Sequence, residues 1–338
     1  MTTINLTLAD VHRIAHHTLA ANGCNDENAT AIADTITVAE RDLCHSHGLF
    51  RLPGYIASLK SGKVNGNASP SVEKLAPAVL RTDGDNGYAP LALQTARDPL
   101  AQCAKENGIA AMSMIKVHHF AALWVEIESL TEQGLAAMAF TAYTPSVAPA
   151  GGTRPFYGTN PMAFGWPRPG QSPMVWDQAT ATQARGEVMI AARDGHELPP
   201  GVGIDKEGNP STDPHAVLEG CLLPFGGYKG ASIALMIELL VGPLIGERFS
   251  FEAAAADNKD GGPPRGGELL IAIDPTRFGS SEDPFGHADR LFNELLSIDG
   301  TRLPGERRVK NRQVSATQGI SIPKSLMDKI EELSGQAG

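Results

Sequence analysis

The middle of this chain has the apolar runs and alternation of β-strands, whereas both ends have the spacing of amphipathic helices. Strands are predicted at "AVLRTDG", "IAAMSMIK", "LAAMAFTAY", "PMAFGWPR", "MVWDQATA" and "GELLIAIDP", all between residues 78 and 275. Helices are predicted over 7–21, 27–43 and 51–62, between the strands over 90–108, and over about 285–298 and 323–335. This order predicts an α/β fold in which helices cover a central sheet.

Two further segments have distinctive compositions. "GASIALMIELLVGPLIG", residues 230–246, is almost entirely apolar and is predicted to be a buried helix. It is too short, and too interrupted by Gly and Pro, to cross a membrane, and no other apolar run reaches about 18 residues. Residues 195–215 are rich in Gly, Pro and Asp, which predicts an exposed loop.

Charge and cysteine usage limit the possible partners and compartment. The net charge of −10 over 338 residues argues against a nucleic-acid or membrane-surface partner. The four cysteines, at 24, 44, 103 and 221, form no C-x-x-C pair, which is typical of a reducing compartment. The first residues lack the apolar core of a signal peptide, so a cytoplasmic protein is expected.

The chain has neither of the common phosphate-binding fingerprints. No G-x-G-x-x-G follows a predicted strand, and no G-x-x-x-x-G-K-[ST] is present. "PFGGYKG", residues 224–230, has glycines and Lys229 at a different spacing. It is either a loop that precedes the apolar helix or a phosphate site at a helix start.

Histidines occur in pairs at two places. His118 and His119 follow a predicted strand, but further ligands at helical or hairpin spacing are absent, so no metal site is predicted. His45 and His47 lie in "CHSHG" after a predicted helix, and Arg51 follows. In one interpretation, the histidines hydrogen-bond the last backbone carbonyls of the helix. In the other, a histidine transfers a proton to a substrate whose carboxylate Arg51 binds.

A loop rich in Gly and Pro, "GGTRPFYGTNPMAFGWPR", covers residues 151–168. It is either a plain connection into a strand or a loop that brings its backbone close to a ligand. In the second interpretation, Thr159 and Asn160 would hydrogen-bond that ligand.

Several motifs together point to a known family. "HSHGLFRLPGY", "HHFAALW", "GTNPMAFG", "WDQATA", "ARGEV", "PFGGYKG" and "RLPGERR" occur in this order between residues 45 and 308. The combination resembles the malate/L-lactate dehydrogenase family of the non-Rossmann type. Within it, the sequence is most similar to the Δ1-piperideine-2-carboxylate/Δ1-pyrroline-2-carboxylate reductases, over nearly the whole chain.

The resemblance implies an architecture and an assembly. It implies a non-Rossmann NAD(P)-binding sheet domain over 76–284 and a helical domain built from both chain ends, 1–75 plus 285–338. It also implies a homodimer, with the active site in the cleft between the two domains.

The resemblance further implies a role for each matching residue. His47 matches the proton donor, and Ser46 and Glu187 match its relay partners. The matching substrate-binding residues are Arg51, Thr159, Arg185 and Gly186. The matching cofactor-binding residues are His118, His119, Phe120, Ala121, Ala122, Met174, Val175, Trp176, Tyr228, Lys229, Arg302, Leu303, Pro304, Gly305, Glu306, Arg307 and Arg308.

Two positions depart from the pattern of these reductases. Their relay acid is Asp, whereas this chain has Glu187, whose longer side chain alters its reach to His47 or Ser46. Val117 precedes the histidine pair where related chains often have a small polar residue, which removes one possible hydrogen bond to the cofactor.

The implied reaction is reduction of a cyclic imino acid, Δ1-pyrroline-2-carboxylate to L-proline or Δ1-piperideine-2-carboxylate to L-pipecolate. NADP(H) is the expected cofactor, with NAD(H) as the alternative. One rival hypothesis is a 2-hydroxyacid dehydrogenase acting on malate, lactate or ureidoglycolate. Another is an NADPH-binding scaffold without turnover.

Overall fold

The computed structural model of the chain describes residues 2–119, 122–279 and 283–335 and has a mixed β-sheet at its centre. The strands are β1 (Thr3–Leu6), β2 (Ser71–Ala76), β3 (Val79–Asp83), β4 (Ile109–His118), β5 (Ala136–Thr141), β6 (Met162–Trp166), β7 (Met174–Gln178), β8 (Gly203–Ile204), β9 (Pro210–Ser211), β10 (Cys221–Leu222), β11 (Arg265–Ile273) and β12 (Ile320–Pro323). The helices are α1 (Leu8–Ala21), α2 (Asp26–Arg41), α3 (Leu52–Lys60), α4 (Ala89–Asn107), α5 (Leu123–Thr131), α6 (Arg185–Asp194), α7 (Pro214–Glu219), α8 (Tyr228–Val241), α9 (Ser250–Ala256), α10 (Pro284–Leu296), α11 (Glu306–Gln318) and α12 (Lys324–Leu333).

The central sheet has the strand order β2-β3-β4-β11-β5-β6-β7 among the described residues. Only β3 and β4 pair in parallel; every other neighbouring pair in this sheet is antiparallel. A doubly wound dinucleotide fold would have mostly parallel strands. The topology therefore confirms the predicted non-Rossmann α/β class and fits the lack of a Gly-rich fingerprint.

Helices cover both faces of this sheet, which explains why its inner strands are apolar throughout. On one face, Leu100 of α4 and Ile127 of α5 share a buried core with Met112 of β4. On the other, Ile237 of α8 packs with Phe140 of β5. Side chains along each strand alternate between the two cores.

The two ends of the chain meet. β1 pairs antiparallel with β12, and a second core contains buried residues of α1, α2, α3 and α12. α10 instead contacts the sheet region, where Arg168 bonds Asp289 at 3.0 Å and lies over the Phe292 ring. The division into 1–75 plus 285–338 and 76–284 stays a prediction.

Most predicted elements lie within a few residues of the observed ones. At the start of α1, Thr7 and Asp10 form the reciprocal capping box that their spacing indicates. The helices α6, α7, α9 and α11 were not anticipated. The short strands β8 and β9 lie inside the segment expected to be only a loop.

The prediction that the apolar helix is buried was wrong for one of its faces. Ile237 and Val241 are buried, but Leu235 and Leu239 are 47% and 51% exposed. Apolar residues all round a helix predict burial, and here only one side of α8 packs on the sheet. No helix in the described ranges has the length and apolarity to cross a bilayer.

Candidate active site

The segment between α2 and α3 forms two successive 3-10 turns, His45–His47 and Leu49–Arg51. The buried carboxylate of Glu40 organises them, since it accepts the Leu49 N–H at 2.8 Å and contacts His45 Nδ1 at 2.5 Å. A Cβ at position 48 would lie 2.0 Å from Glu40 Oε1, so a side chain there would displace the Glu40 carboxylate or the turn. The turns give the two histidines different surroundings: His45 is held by Glu40, whereas His47 lines a cavity.

His47 is enclosed by polar and aromatic groups. Its Nδ1 lies 3.1 Å from Ser46 Oγ, and its ring meets the Trp124 ring edge-on at 6.0 Å. Burial, reinforced by the nearby positive charges of Arg51 and His119, lowers the pKa of His47 to about 3. The ring is therefore neutral at pH 7 before a ligand binds.

Arg51 is held beside this histidine by the backbone. Its Nε–H donates to the Ser46 carbonyl at 2.6 Å, and burial lowers the pKa of the guanidinium. A Cβ at Gly186 would lie 3.0 Å from both Arg51 Nη2 and Ser46 Cβ. Glycine at this position thus lets the start of α6 approach the His47 turn closely.

Glu187 reaches the same cavity from the first turn of α6, but its side chain is exposed. Among the hydrogen bonds of the described residues, none joins Glu187 to His47 or Ser46. The relay role of Glu187 stays a prediction.

Asp42, at the end of α2, fixes the position of Trp124. The Asp42 carboxylate is fully buried and accepts the Trp124 indole N–H at 3.1 Å. It also accepts hydrogen bonds from Arg41 and two from Arg312 of α11, at 2.8 and 2.9 Å. Burial alone would raise the pKa of Asp42, but these arginines outweigh it and lower the pKa.

Two predicted cofactor segments, 174–176 and 302–308, lie against each other. Gly305, at φ +83°, approaches the Val175 carbonyl so closely that a Cβ would lie 2.2 Å from its oxygen. Arg308 donates to the same carbonyl at 2.6 Å, and its guanidinium lies 4.9 Å from the centre of the Trp124 ring. Burial raises the pKa of Asp177 to about 6, although Arg308 opposes the shift.

Thr159 is held at the cavity by its neighbours. Its carbonyl accepts both the N–H and the hydroxyl of Thr180, each at 2.8 Å. Asn160, at φ +32°, is fully buried and bonds Glu238 at 2.8 Å. Asn160 therefore anchors the loop. It does not line the cavity, which disagrees with the ligand-binding role considered for it.

These elements enclose a cavity of about 770 Å³. The predicted site residues that line it are Ser46, His47, Arg51, His119, Thr159, Arg185, Gly186, Glu187, Arg307 and Arg308. Sequence reasoning did not assign Trp124, Thr141, Tyr143, Asp177 or Gln178, which also line it. Trp124, Asp177 and Gln178 lie inside the quoted motifs "HHFAALW" and "WDQATA", which could have indicated them.

Other predicted cofactor residues lie away from this lining. His118 is buried with its Nδ1 3.2 Å from the Pro263 carbonyl, and burial lowers its pKa to about 4. Tyr228 is 68% exposed and lines a separate cavity of about 490 Å³, next to Lys229. Ala122 is buried at the start of α5, and Phe120 and Ala121 lie outside the described residues.

His119 lies beside two acids that sequence reasoning missed. Its Nε2 is 2.8 Å from Glu126 Oε1 and 3.1 Å from Glu268 Oε2. The possible ligand atoms of these three buried residues lie within 4.8 Å of one another, which is close enough for a metal ion. The sequence search did not find them, because His119 lies before the helix that carries Glu126, and Glu268 is 149 residues away.

Comparison with known proteins supports one family. A family profile described as malate/L-lactate dehydrogenase matches residues 6–331. A Δ1-pyrroline-2-carboxylate reductase from Ancylobacter novellus is 49% identical, over 98% of this chain and 97% of its own length. A Δ1-pyrroline-2-carboxylate/Δ1-piperideine-2-carboxylate reductase from Pseudomonas aeruginosa is 46% identical, over 96% and 97% respectively. The crystal structure of Δ1-piperideine-2-carboxylate reductase from Pseudomonas syringae pv. tomato matches with a TM-score of 0.92 at 40% identity, over 98% of this chain and 100% of the other.

Proposed function

Because this chain belongs to the malate/L-lactate dehydrogenase family, we propose that it reduces Δ1-pyrroline-2-carboxylate to L-proline and Δ1-piperideine-2-carboxylate to L-pipecolate. The observation that carries the proposal is the presence of His47, Ser46 and Arg51 around one cavity. The chain is also 46–49% identical to relatives named for these substrates.

Each residue has a role in the proposed reaction. Arg51 binds the substrate carboxylate, because a guanidinium pairs with a carboxylate through two hydrogen bonds. Thr159, Arg185 and Gly186 form the rest of the substrate wall. His47 delivers the proton that the product nitrogen gains, with Ser46 orienting the ring and Glu187 completing the relay. Arg51 also fixes C2 of the imine in the attack geometry.

The cavity has groups that suit a nicotinamide dinucleotide. Arg307 and Arg308 line it, and the close contact of Gly305 with β7 holds their segment in place. Arginines suit phosphate oxygens, including a 2′-phosphate. When bound, the dinucleotide supplies the hydride that adds to C2 of the substrate. We propose NADPH over NADH, and the ratio of their kcat/KM values tests this preference.

We also propose that the protein is a cytoplasmic homodimer that uses the exposed face of α8. Leu235, Met236 and Leu239 are 40–51% exposed there, and Phe251 nearby is 50% exposed. Exposed apolar patches of this kind mark protein interfaces. A second copy is expected to cover them. Sedimentation velocity of the wild type and of Leu239→Glu tests this, and a monomeric wild type contradicts it.

A substrate panel tests the proposed reaction. NADPH oxidation is followed with Δ1-pyrroline-2-carboxylate, Δ1-piperideine-2-carboxylate, pyruvate, oxaloacetate and diketogulonate. We expect the two imines to have the highest kcat/KM. A preference for pyruvate or oxaloacetate would instead identify a 2-hydroxyacid dehydrogenase, and no turnover on any member of the panel would refute the proposal.

A further inference from the structure

Three buried polar side chains, His119, Glu126 and Glu268, form a group that we call the His119 cluster. Their exposed fractions are only 8%, 5% and 0%. His119 follows the end of β4, Glu126 lies on α5 and Glu268 lies on β11, so three separate elements each contribute one side chain. His119 Nε2 lies 2.8 Å from Glu126 Oε1 and 3.1 Å from Glu268 Oε2.

Glu268 occupies a position where an apolar residue is expected. β11 is the middle strand of the central sheet, between β4 and β5. Strands that helices cover on both faces are apolar throughout, and the next residues of β11, Leu269 and Leu270, are both buried leucines. The strand is bulged between Gly266 and Glu268, and a bulge redirects a side chain. A carboxylate at this position needs a donor or a cation.

The protein supplies too few donors for the two carboxyl groups of the cluster. Among the residues that the structure describes, no N–H or O–H group reaches the buried atoms Glu126 Oε2 and Glu268 Oε1. The single nitrogen His119 Nε2 faces the other two oxygens. Buried charges are normally paired or bound to metals, because an unpaired one is costly. A cation between the three side chains would reach oxygens that the ring does not.

The geometry of the cluster fits one metal ion. One ligand atom from each of the three residues lies within 4.8 Å of the other two. With each ligand roughly 2.1 Å from the ion, separations of 2.8 and 3.1 Å correspond to angles of roughly 85–95° at the metal. Neighbouring ligands of an octahedron make angles of this size. The three side chains would therefore fill adjacent positions of an octahedral site.

The ligand types select the class of ion. Imidazole suits zinc, iron, nickel and copper, whereas magnesium and calcium favour oxygen ligands alone. Two carboxylates and a neutral imidazole balance a charge of 2+, so the cluster with its ion is neutral overall, which suits burial. His119 also lines the cavity, which gives an ion a path of entry.

We propose that His119, Glu126 and Glu268 bind one divalent ion of the first transition row, and that this ion ties α5 to β11 and to the end of β4. The inference does not depend on the proposed function, because Glu126 and Glu268 are not in the cavity lining. Its role is structural. α5 also carries Trp124, whose ring meets that of His47, so the ion would fix one wall of the cavity.

Ion binding is measured on the full-length protein after dialysis against a chelator. Mn²⁺ alone is added, and the free ion is followed by electron paramagnetic resonance. We expect one Mn²⁺ to bind per chain and Zn²⁺ to displace it. The Tm should rise with added Mn²⁺, since the three ligands meet only in the folded chain. A wild type that binds neither ion overturns the proposal.

A double variant locates the ion. Glu126→Gln/Glu268→Gln keeps the size of both side chains and removes both charges. We expect its affinity for Mn²⁺ to fall by about 100-fold or more, since the loss of an outer partner of a ligand already costs about 10–100-fold. Glu247→Gln is the matched control, because Glu247 is also buried but bonds Arg265. It should bind Mn²⁺ as the wild type does, and equal affinity of the double variant and the wild type overturns the proposal.

The exposed histidines of α1 offer a competing location for the ion. His12 and His16 are four residues apart, and their rings stack at 6.2 Å between centres. His12→Asn/His16→Asn removes this pair, and we expect it to keep one bound Mn²⁺ per chain. Loss of the bound ion in this variant overturns the proposal.

Crystals of the wild type soaked in Mn²⁺ decide the location if the double variant does not fold. We expect an anomalous difference peak at coordination distance from all three side chains of the His119 cluster. A peak at another place only, or no peak, overturns the proposal.

Discussion

The carboxylate of Glu40 lies directly against Gly48, on the inner side of the turn that carries His47. Glu40 Oε1 accepts the Leu49 N–H at 2.8 Å and occupies the space where a side chain at position 48 would begin. The conformation of the His47 turn therefore depends on a buried acid in the preceding helix and on the absence of a Cβ opposite it.

Gly48→Ala tests this relationship. The new Cβ would lie 2.0 Å from Glu40 Oε1, so either the carboxylate or the turn must move. We expect a loss of about 1–3 kcal/mol in the free energy of unfolding, measured by denaturant titration, and a fall in kcat. Gly266→Ala is the control, because the nearest atom to its Cβ would be 3.8 Å away. Equal stability of Gly48→Ala and the wild type would contradict the prediction.

His47→Ala should remove most turnover. The proton that the product nitrogen gains then lacks its carrier, so we expect kcat to fall by about 10²-fold or more. The Kd for NADPH, measured by fluorescence titration, should change little. A variant that keeps a near-wild-type kcat would exclude His47 from proton transfer.

Arg51→Ala should raise the KM for the imino acid by a large factor, because the substrate carboxylate loses its two hydrogen bonds. Arg51→Lys is the matched variant, since it keeps the charge but not the planar pair of donors. We expect it to recover only part of the affinity. An unchanged KM in steady-state assays of Arg51→Ala would show that another group binds the carboxylate.

Glu187→Gln should shift the pH dependence of kcat/KM if this acid completes the relay with His47. The change keeps the length of the side chain and removes its charge, so the loss of a carboxylate is tested alone. The profile is measured from pH 5 to pH 9. An identical profile would remove Glu187 from the relay, in line with the lack of a hydrogen bond between it and His47 among the described residues.

Asp42→Asn should destabilise the protein in a pH-dependent way. The folded pKa of Asp42 is lowered, because its bonds to Arg312 and Arg41 outweigh burial. Its contribution is therefore present above its unfolded pKa, about 3.9, and is lost as the pH falls through the lower folded pKa.

At pH 7 we expect a loss on the order of 3 kcal/mol for Asp42→Asn. By denaturant titration, this difference from the wild type should shrink as the pH falls below 4. Asp328→Asn, which breaks an exposed ion pair with Lys324, should cost far less, because solvent screens exposed charges. A constant difference from pH 7 to pH 3 would contradict the assigned charge of Asp42.

Local patterns predicted the elements well, because periodicity and capping depend on residues a few positions apart. The capping box of α1 and the strands of the central sheet are examples. The ordered motifs indicated the family and the residues of the His47 turn. They could not show that Glu40 and Gly48 shape this turn, since the contact depends on where α2 ends.

Tertiary structure alone decided the remaining features. Asp42 and Arg312 are 270 residues apart, and His119 and Glu268 are 149 apart, so no local spacing relates them. The side of α8 that faces the sheet depends on packing, because the helix is apolar all round. By itself, the sequence determined most of the helices and strands and the motifs that indicate the family. The folded chain decided which distant charges meet, since the charge state of a buried group is set by its spatial neighbours.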